Sequence, residues 1–78
     1  MREKKNWVVI SFKNTTDAMK MEQAAKISDA PGRMIPLPTQ ISAGCGLAWR
    51  AEVAARGELE KLISENDLTC EDIVELYY

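Results

Sequence analysis

The chain has 78 residues, a net charge of −2, two cysteines and no histidine. This length predicts a single domain over residues 1–78 with a small core, which a second subunit would stabilise further. Structural zinc takes four nitrogen or sulfur ligands, so the composition disfavours a zinc site within one chain, and we expect neither a metal nor a cofactor. The charges are mixed and form no basic stripe, which argues against a nucleic-acid partner.

The first predicted strand is the β-branched and aromatic run from Trp7 to Phe12. It is apolar on both faces, as a central strand with material on both sides would be. The run is far too short to cross a membrane, and the basic start at residues 2–5 lacks the following apolar run of a signal peptide. We therefore expect a soluble, cytoplasmic protein with no membrane partner.

A helix is predicted to follow this strand. Asn14, Thr15 and Thr16 offer side-chain oxygens that can cap the free N–H groups at its start. We expect the helix to end near Ser28, because the run at 29–32, Asp-Ala-Pro-Gly, breaks helices. Mostly small side chains recur at three- and four-residue spacing between these limits. They are Ala18, Met21, Ala24, Ala25 and Ser28.

Two strands are predicted next. Residues 33–37 form the second strand, which we place at a sheet edge because Pro36 cannot donate a hydrogen bond to a neighbouring strand. Residues 47–53 alternate between apolar and polar side chains, the pattern of a half-buried strand. The apolar face of this third strand consists of Leu47, Trp49, Ala51 and Val53.

The rest of the chain predicts a helix over about 55–66, ending in a left-handed turn at Asn66-Asp67, and a last strand over 71–77. The order is then strand, helix, strand, strand, helix, strand. Two split βαβ halves of this kind close into a ferredoxin-like α+β sandwich, in which four antiparallel strands carry two helices on one face. We expect the first and third strands at the centre of the sheet.

Such a sandwich leaves one sheet face without helices. The first strand is apolar on both faces, and Trp7 and Trp49 add large apolar groups to the two central strands. An uncovered apolar face implies a partner, so we expect a homodimer or another docked protein. The alternative is that Trp49 belongs to the core and Trp7 is an isolated exposed residue.

Cys45 is the residue with the strongest chemical signal. Gly44 and Gly46 flank it, which removes neighbouring side chains and permits unusual backbone angles. The preceding run at 36–38, Pro-Leu-Pro, interrupts regular structure, so we expect the thiol on a loop where sulfur chemistry is possible. The alternative is a tight turn whose cysteine points inward.

The absence of histidine excludes a Cys–His pair within the chain, so Cys45 needs another way to form a thiolate. Loop amides can converge on an anion, and a nearby arginine can lower a thiol pKa. Arg33 and Arg50 lie on the two strands that the loop joins, although ordinary solvation explains each of them as well. Ser42 can donate a hydrogen bond to sulfur or to a bound anion, or it can satisfy the loop backbone.

Cys70 lies between Thr69 and Glu71 at the entry to the last strand. The acids Glu71 and Asp72 would raise its pKa, so we interpret it as structural or incidental. The sequence leaves a disulfide between Cys45 and Cys70 open.

The residues around the loop resemble the selenium/sulfur carrier protein-like family. The likeness rests on the runs at 33–38, 41–42 and 45–48, with further similarity at 12–13, 17–20 and 22. Its position-specific motif is Ser42 to Gly46. The resemblance implies that Cys45 carries the atom. The residues expected around the thiol are those named above from the sequence itself, Ser42, Gly44, Gly46, Arg33 and Arg50.

Three functions follow from these observations. The first is a sulfur or selenium carrier that holds the atom on Cys45 as a persulfide or perselenide and serves a donor and an acceptor protein. A carrier needs no general base, so we do not expect a self-contained enzyme. The second is a ligand- or protein-binding module in which Cys45 only lines the site. The third is a metallochaperone, for which a second nearby thiolate is missing.

Overall fold

A computed structural model describes residues 4–41 and 46–77. They form one four-stranded antiparallel sheet with the strand order β2-β3-β1-β4 and two α-helices, a ferredoxin-like α+β fold. The elements are β1 (Asn6–Ser11), α1 (Thr15–Ser28), β2 (Arg33–Pro36), β3 (Leu47–Glu52), α2 (Arg56–Glu65) and β4 (Asp72–Tyr77), with a 3₁₀ turn (Val53–Ala55) before α2.

The predicted strand placement is confirmed. β1 pairs with both β3 and β4, so β1 and β3 are central, while β2 pairs only with β3 and forms an edge. Pro36 is the last residue of this edge strand, opposite Leu47. Its missing N–H therefore costs the sheet nothing on the outer side.

Local backbone and capping features set both ends of α1 and the end of α2. The side chain of Asn14 accepts a hydrogen bond of 2.8 Å from the Asp17 N–H, which caps α1 as predicted. Asp29 then takes a left-handed conformation (φ 54°) and stops α1 after Ser28. Asp67 is left-handed (φ 53°) after α2, so the predicted stop at Asn66-Asp67 is confirmed.

The core lies between the helices and one face of the sheet. It contains Val8, Ile10, Phe12, Ala18, Met21, Ala25, Trp49, Ala51, Leu59 and Leu62. Trp49 is 5 % exposed and packs in this core, so the structure supports the alternative in which Trp49 is a core residue. Ser28, which shares the three- and four-residue spacing of these α1 residues, is exposed.

The opposite face of the sheet, which we call the open face, carries no helix. Trp7 and Val9 point to it from β1, and Ala48 and Arg50 from β3, because residues alternate along each strand. Val9 and Ala48 are nevertheless completely buried, whereas Trp7 is half-buried. The exposed apolar area of this face is therefore smaller than the sequence suggests.

Candidate functional site

The connection between β2 and β3 continues the hairpin beyond the last strand pair. The N–H of Leu37 donates to the carbonyl of Gly46 at 2.8 Å, and the N–H of Ile41 donates to the carbonyl of Pro38 at 3.0 Å. These two hydrogen bonds hold the backbone of the loop where the structure describes it. The predictions for Ser42, Gly44 and Cys45 fall outside the described residues.

Gly46 directly follows Cys45 in the chain and has a backbone that favours glycine. Its φ is +72°, in the left-handed region, and a Cβ built there meets no atom within 4 Å. Glycine is required here by backbone conformation and not by space. The unusual backbone angle that glycine permits beside Cys45 is present at Gly46.

Arg33 and Arg50 lie directly opposite each other on β2 and β3, on the open face. Their pair is three residues along the strands from the pair of Pro36 with Leu47, which is about 10 Å at the usual strand rise. The guanidinium of Arg50 lies 4.2 Å from the centre of the Trp7 ring. The structure thus brings the two arginines together, at the end of β2 and β3 that is remote from Gly46.

A cavity of about 550 Å³ opens at this remote end of the sheet. Trp7, Arg33 and Arg50 line it on one side, and the start of α2 contributes Glu58. Sequence reasoning missed this cavity, because it forms only once β2, β3 and the turn before α2 are packed. The available signal was the pair of arginines, whose meeting depends on the strand register.

Gly32 forms part of the cavity wall and leaves no room for a side chain. Its φ is +103°, and a Cβ there would lie 2.4 Å from the backbone oxygen of Arg50 and 2.6 Å from the indole nitrogen of Trp49. The same indole N–H donates a 3.0 Å hydrogen bond to the carbonyl of Pro31. This contact anchors the chain between α1 and β2 onto the core tryptophan.

Glu52, which lines the cavity, forms an ion pair with Lys5. The ammonium group of Lys5 lies 2.5 Å from a carboxylate oxygen of Glu52, and 4.4 Å from the centre of the Trp7 ring. The hydrogen bond and the positive charge of Lys5 lower the pKa of Glu52. Glu52 therefore stays ionised and directed to Lys5.

Cys70 is a free thiol that packs, half-buried, against the core. Burial raises its pKa, and the negative charge of Asp72 raises it further. The predicted rise of the Cys70 pKa is confirmed, but burial contributes more to it than the acid Asp72 does. A thiol with this pKa is mostly protonated at neutral pH, which suits a structural role.

The described residues contain no group of three or more His, Cys, Asp or Glu side chains placed to hold a metal ion. Within the same residues, neither helix is long and apolar enough to cross a membrane.

A protein-family model matches residues 7–75, which is nearly the whole chain. Its description reads "Putative Se/S carrier protein-like". The chain belongs to this family. The match spans β1 to β4 and includes the segment that contains Ser42 and Cys45. A carrier of selenium or sulfur implies partners that load it and unload it.

No curated protein matches this chain significantly, and no solved structure does so either.

Proposed function

We propose that this member of the Se/S carrier protein-like family carries a sulfur or selenium atom on the thiol of Cys45. The family match over residues 7–75 is the observation that supports this most. Cys45 belongs to the segment that resembles the family motif, whereas Cys70 is half-buried with a raised pKa. A carrier also needs no general base, in keeping with a chain that has no histidine.

The proposed chemistry is an exchange without net oxidation or reduction. The Cys45 thiolate attacks the outer sulfur of a donor persulfide, the donor S–S bond breaks, and the donor leaves as a thiolate. Cys45 then holds the persulfide until an acceptor thiolate attacks the same outer sulfur and releases the Cys45 thiolate. Selenium takes the place of that outer sulfur in the perselenide version.

We assign support of the thiolate to the hydroxyl of Ser42 and to the backbone amides of Gly44 and Gly46. Arg33 and Arg50 add positive potential from the far end of β2 and β3. A charge about 10 Å from the loop end of the strands lies beyond the Debye length of roughly 8 Å, so this contribution is small. The amides are expected to dominate.

Alkylation and transfer assays on matched cysteine variants test the proposal. We expect Cys45 to react with iodoacetamide faster than Cys70 at neutral pH, because the thiolate is the nucleophile. Cys45→Ser should fold normally and lose persulfide or perselenide transfer, while Cys70→Ser, the matched control, should keep it. Faster reaction of Cys70, or full transfer by Cys45→Ser, contradicts the carrier function.

We further propose a cytoplasmic homodimer that exchanges its cargo with donor and acceptor proteins and binds no nucleic acid. The half-buried apolar residues at the rim of the open face, Trp7, Ile35, Val74 and Leu76, support a contact surface. Sedimentation over a range of protein concentrations tests the homodimer. A single monomeric species at every concentration contradicts it.

A further inference from the structure

The two edges of the sheet differ in what they offer to another strand. β2 has four residues and ends in Pro36, which has no N–H to donate. β4 has six residues without proline, and within the described part of the chain it pairs only with β1. A strand edge of this kind is a template for pairing with a further strand.

The hydrogen bonds of the sheet fix which backbone groups of β4 point outward. The N–H of Leu37 donates to the carbonyl of Gly46 at 2.8 Å, so these two residues form a hydrogen-bonded pair. Such pairs alternate with non-hydrogen-bonded pairs along antiparallel strands. Carried through the registers of β2, β3 and β1, the alternation makes Val9 and Val74 a hydrogen-bonded pair. The β4 residues whose N–H and C=O groups then point away from β1 are Ile73, Glu75 and Tyr77.

A second hydrogen bond agrees with this assignment. The N–H of Ile73 donates to the side-chain carboxylate of Asp72 at 2.9 Å, and not to Ile10, the residue opposite it on β1. Asp72 thereby occupies the first outward donor of β4. The outward donors that remain for another strand are the N–H groups of Glu75 and Tyr77.

A second copy of β4 matches these groups in the antiparallel register centred on Leu76. Glu75 of each copy then lies opposite Tyr77 of the other, and both remaining donors of each copy meet a carbonyl. Registers centred on Val74 or on Glu75 need the N–H of Ile73, which Asp72 occupies. The register centred on Glu75 also places two carboxylates directly opposite each other, which is unfavourable.

The side chains suit the same register. Leu76 lies opposite Trp7 on the open face, and both are half-buried, so two copies would form a continuous apolar row across the axis. Tyr77 is 65 % exposed and would lie beside Glu75 of the other copy. Glu75 is already held by Arg56 at 2.6 Å, so it brings no unpaired charge to the contact.

We infer that two copies of this chain pair antiparallel through β4, with Leu76 on the twofold axis, and join their sheets into one. The inference rests on the proposed homodimer and places its interface at the β4 edge. The contact is isologous, since each copy contributes the same strand. Cys45→Ser is expected to dimerise as the wild type does, so the carrier function and this interface fail separately.

Amide hydrogen exchange of the ¹⁵N-labelled protein tests the strand pairing directly. Exchange is measured at protein concentrations above and below the dissociation constant of the dimer, which sedimentation equilibrium provides. The N–H groups of Glu75 and Tyr77 should exchange at least about tenfold more slowly in the dimer. The N–H of Met34, which the same alternation directs outward from β2, is the matched control and should exchange equally in both states.

Two acidic substitutions on the open face separate the β4 edge from the rest of that face. Leu76→Glu places two carboxylates opposite each other at the axis and should raise the dissociation constant at least about tenfold. Ile35→Glu, the matched control, makes a similar change at a half-buried residue of β2 and should leave the dissociation constant unchanged. Urea unfolding shows whether both variants are folded.

A second pair of variants changes the backbone alone. Glu75→Pro and Glu75→Gln both lose the ion pair with Arg56, but only the proline removes the outward N–H. This N–H is not used for pairing with β1, so the fold should persist. Glu75→Pro should raise the dissociation constant at least about tenfold relative to Glu75→Gln.

Three outcomes would overturn the inference. The first is a monomer at every concentration, which also contradicts the proposed homodimer. The second is a dimer that Ile35→Glu weakens as much as Leu76→Glu does, with both variants folded; the homodimer then stands and the β4 interface is wrong. The third is a dimer in which Glu75 and Tyr77 exchange as fast as in the monomer.

Discussion

Replacement of Gly32 by alanine tests how closely the chain before β2 packs on β3. The new Cβ would lie 2.4 Å from the backbone oxygen of Arg50 and 2.9 Å from the Cβ of Ala51, so it meets atoms that cannot rotate away. It also lies 2.6 Å from the indole nitrogen of Trp49, which must then move from its 3.0 Å hydrogen bond to Pro31. Backbone, packing and hydrogen bonding are all disturbed by one methyl group.

The expected loss of stability follows from these contacts. A residue with a Cβ at positive φ costs about 1–2 kcal/mol, and loss of the indole hydrogen bond about 0.5–1.5 kcal/mol more. We therefore expect Gly32→Ala to lower the free energy of unfolding by about 1.5–3.5 kcal/mol, a large part of the roughly 5–15 kcal/mol of a small domain. Urea unfolding followed by tryptophan fluorescence measures it. A change below about 0.5 kcal/mol would refute the close packing at Gly32.

Two further predictions concern the other glycines and Cys70. Gly46→Ala should destabilise the protein by about 1–2 kcal/mol through its positive φ alone. Gly57→Ala, in the first turn of α2 with equally open surroundings, should stabilise the protein by about 0.5–1 kcal/mol. Thermal unfolding of both variants checks this, and equal effects of the two substitutions would contradict it. Because burial raises the pKa of Cys70 in the folded state, the unfolded thiol loses its proton first as the pH rises above about 8.5, so stability should fall there. Urea unfolding from pH 7 to 10 should show a smaller fall for Cys70→Ala, and parallel curves would exclude this linkage.

Much of the fold follows from short-range features of the sequence. Asn14 caps α1, and Asp67 stops the chain after α2, because both depend on backbone groups within a few residues. Pro36 marks β2 as an edge strand through its missing N–H. The boundaries differ from prediction by at most one residue, and a 3₁₀ turn (Val53–Ala55) precedes α2.

The candidate site also has one feature that the sequence predicts and one that depends on the tertiary structure. The glycine after Cys45 permits an unusual backbone angle, and Gly46 adopts a positive φ. This feature can be read from the sequence because φ at one residue is a local property. The sequence also placed Arg33 and Arg50 on the strands that the loop joins. The sequence could not predict how far these arginines lie from the loop end, because the strand register depends on residues far apart in the chain.

By itself, then, the sequence determined the element order, the edge position of β2, the helix limits and the candidate thiol. Only the tertiary structure decided that Trp49 enters the core while Trp7 lies under the Arg50 guanidinium. It also decided that Gly32 packs against β3 and that two arginines meet beside a cavity. The physical reason is range: caps, turns and proline act between near neighbours, whereas burial, register and cavities arise from contacts between segments distant in the chain.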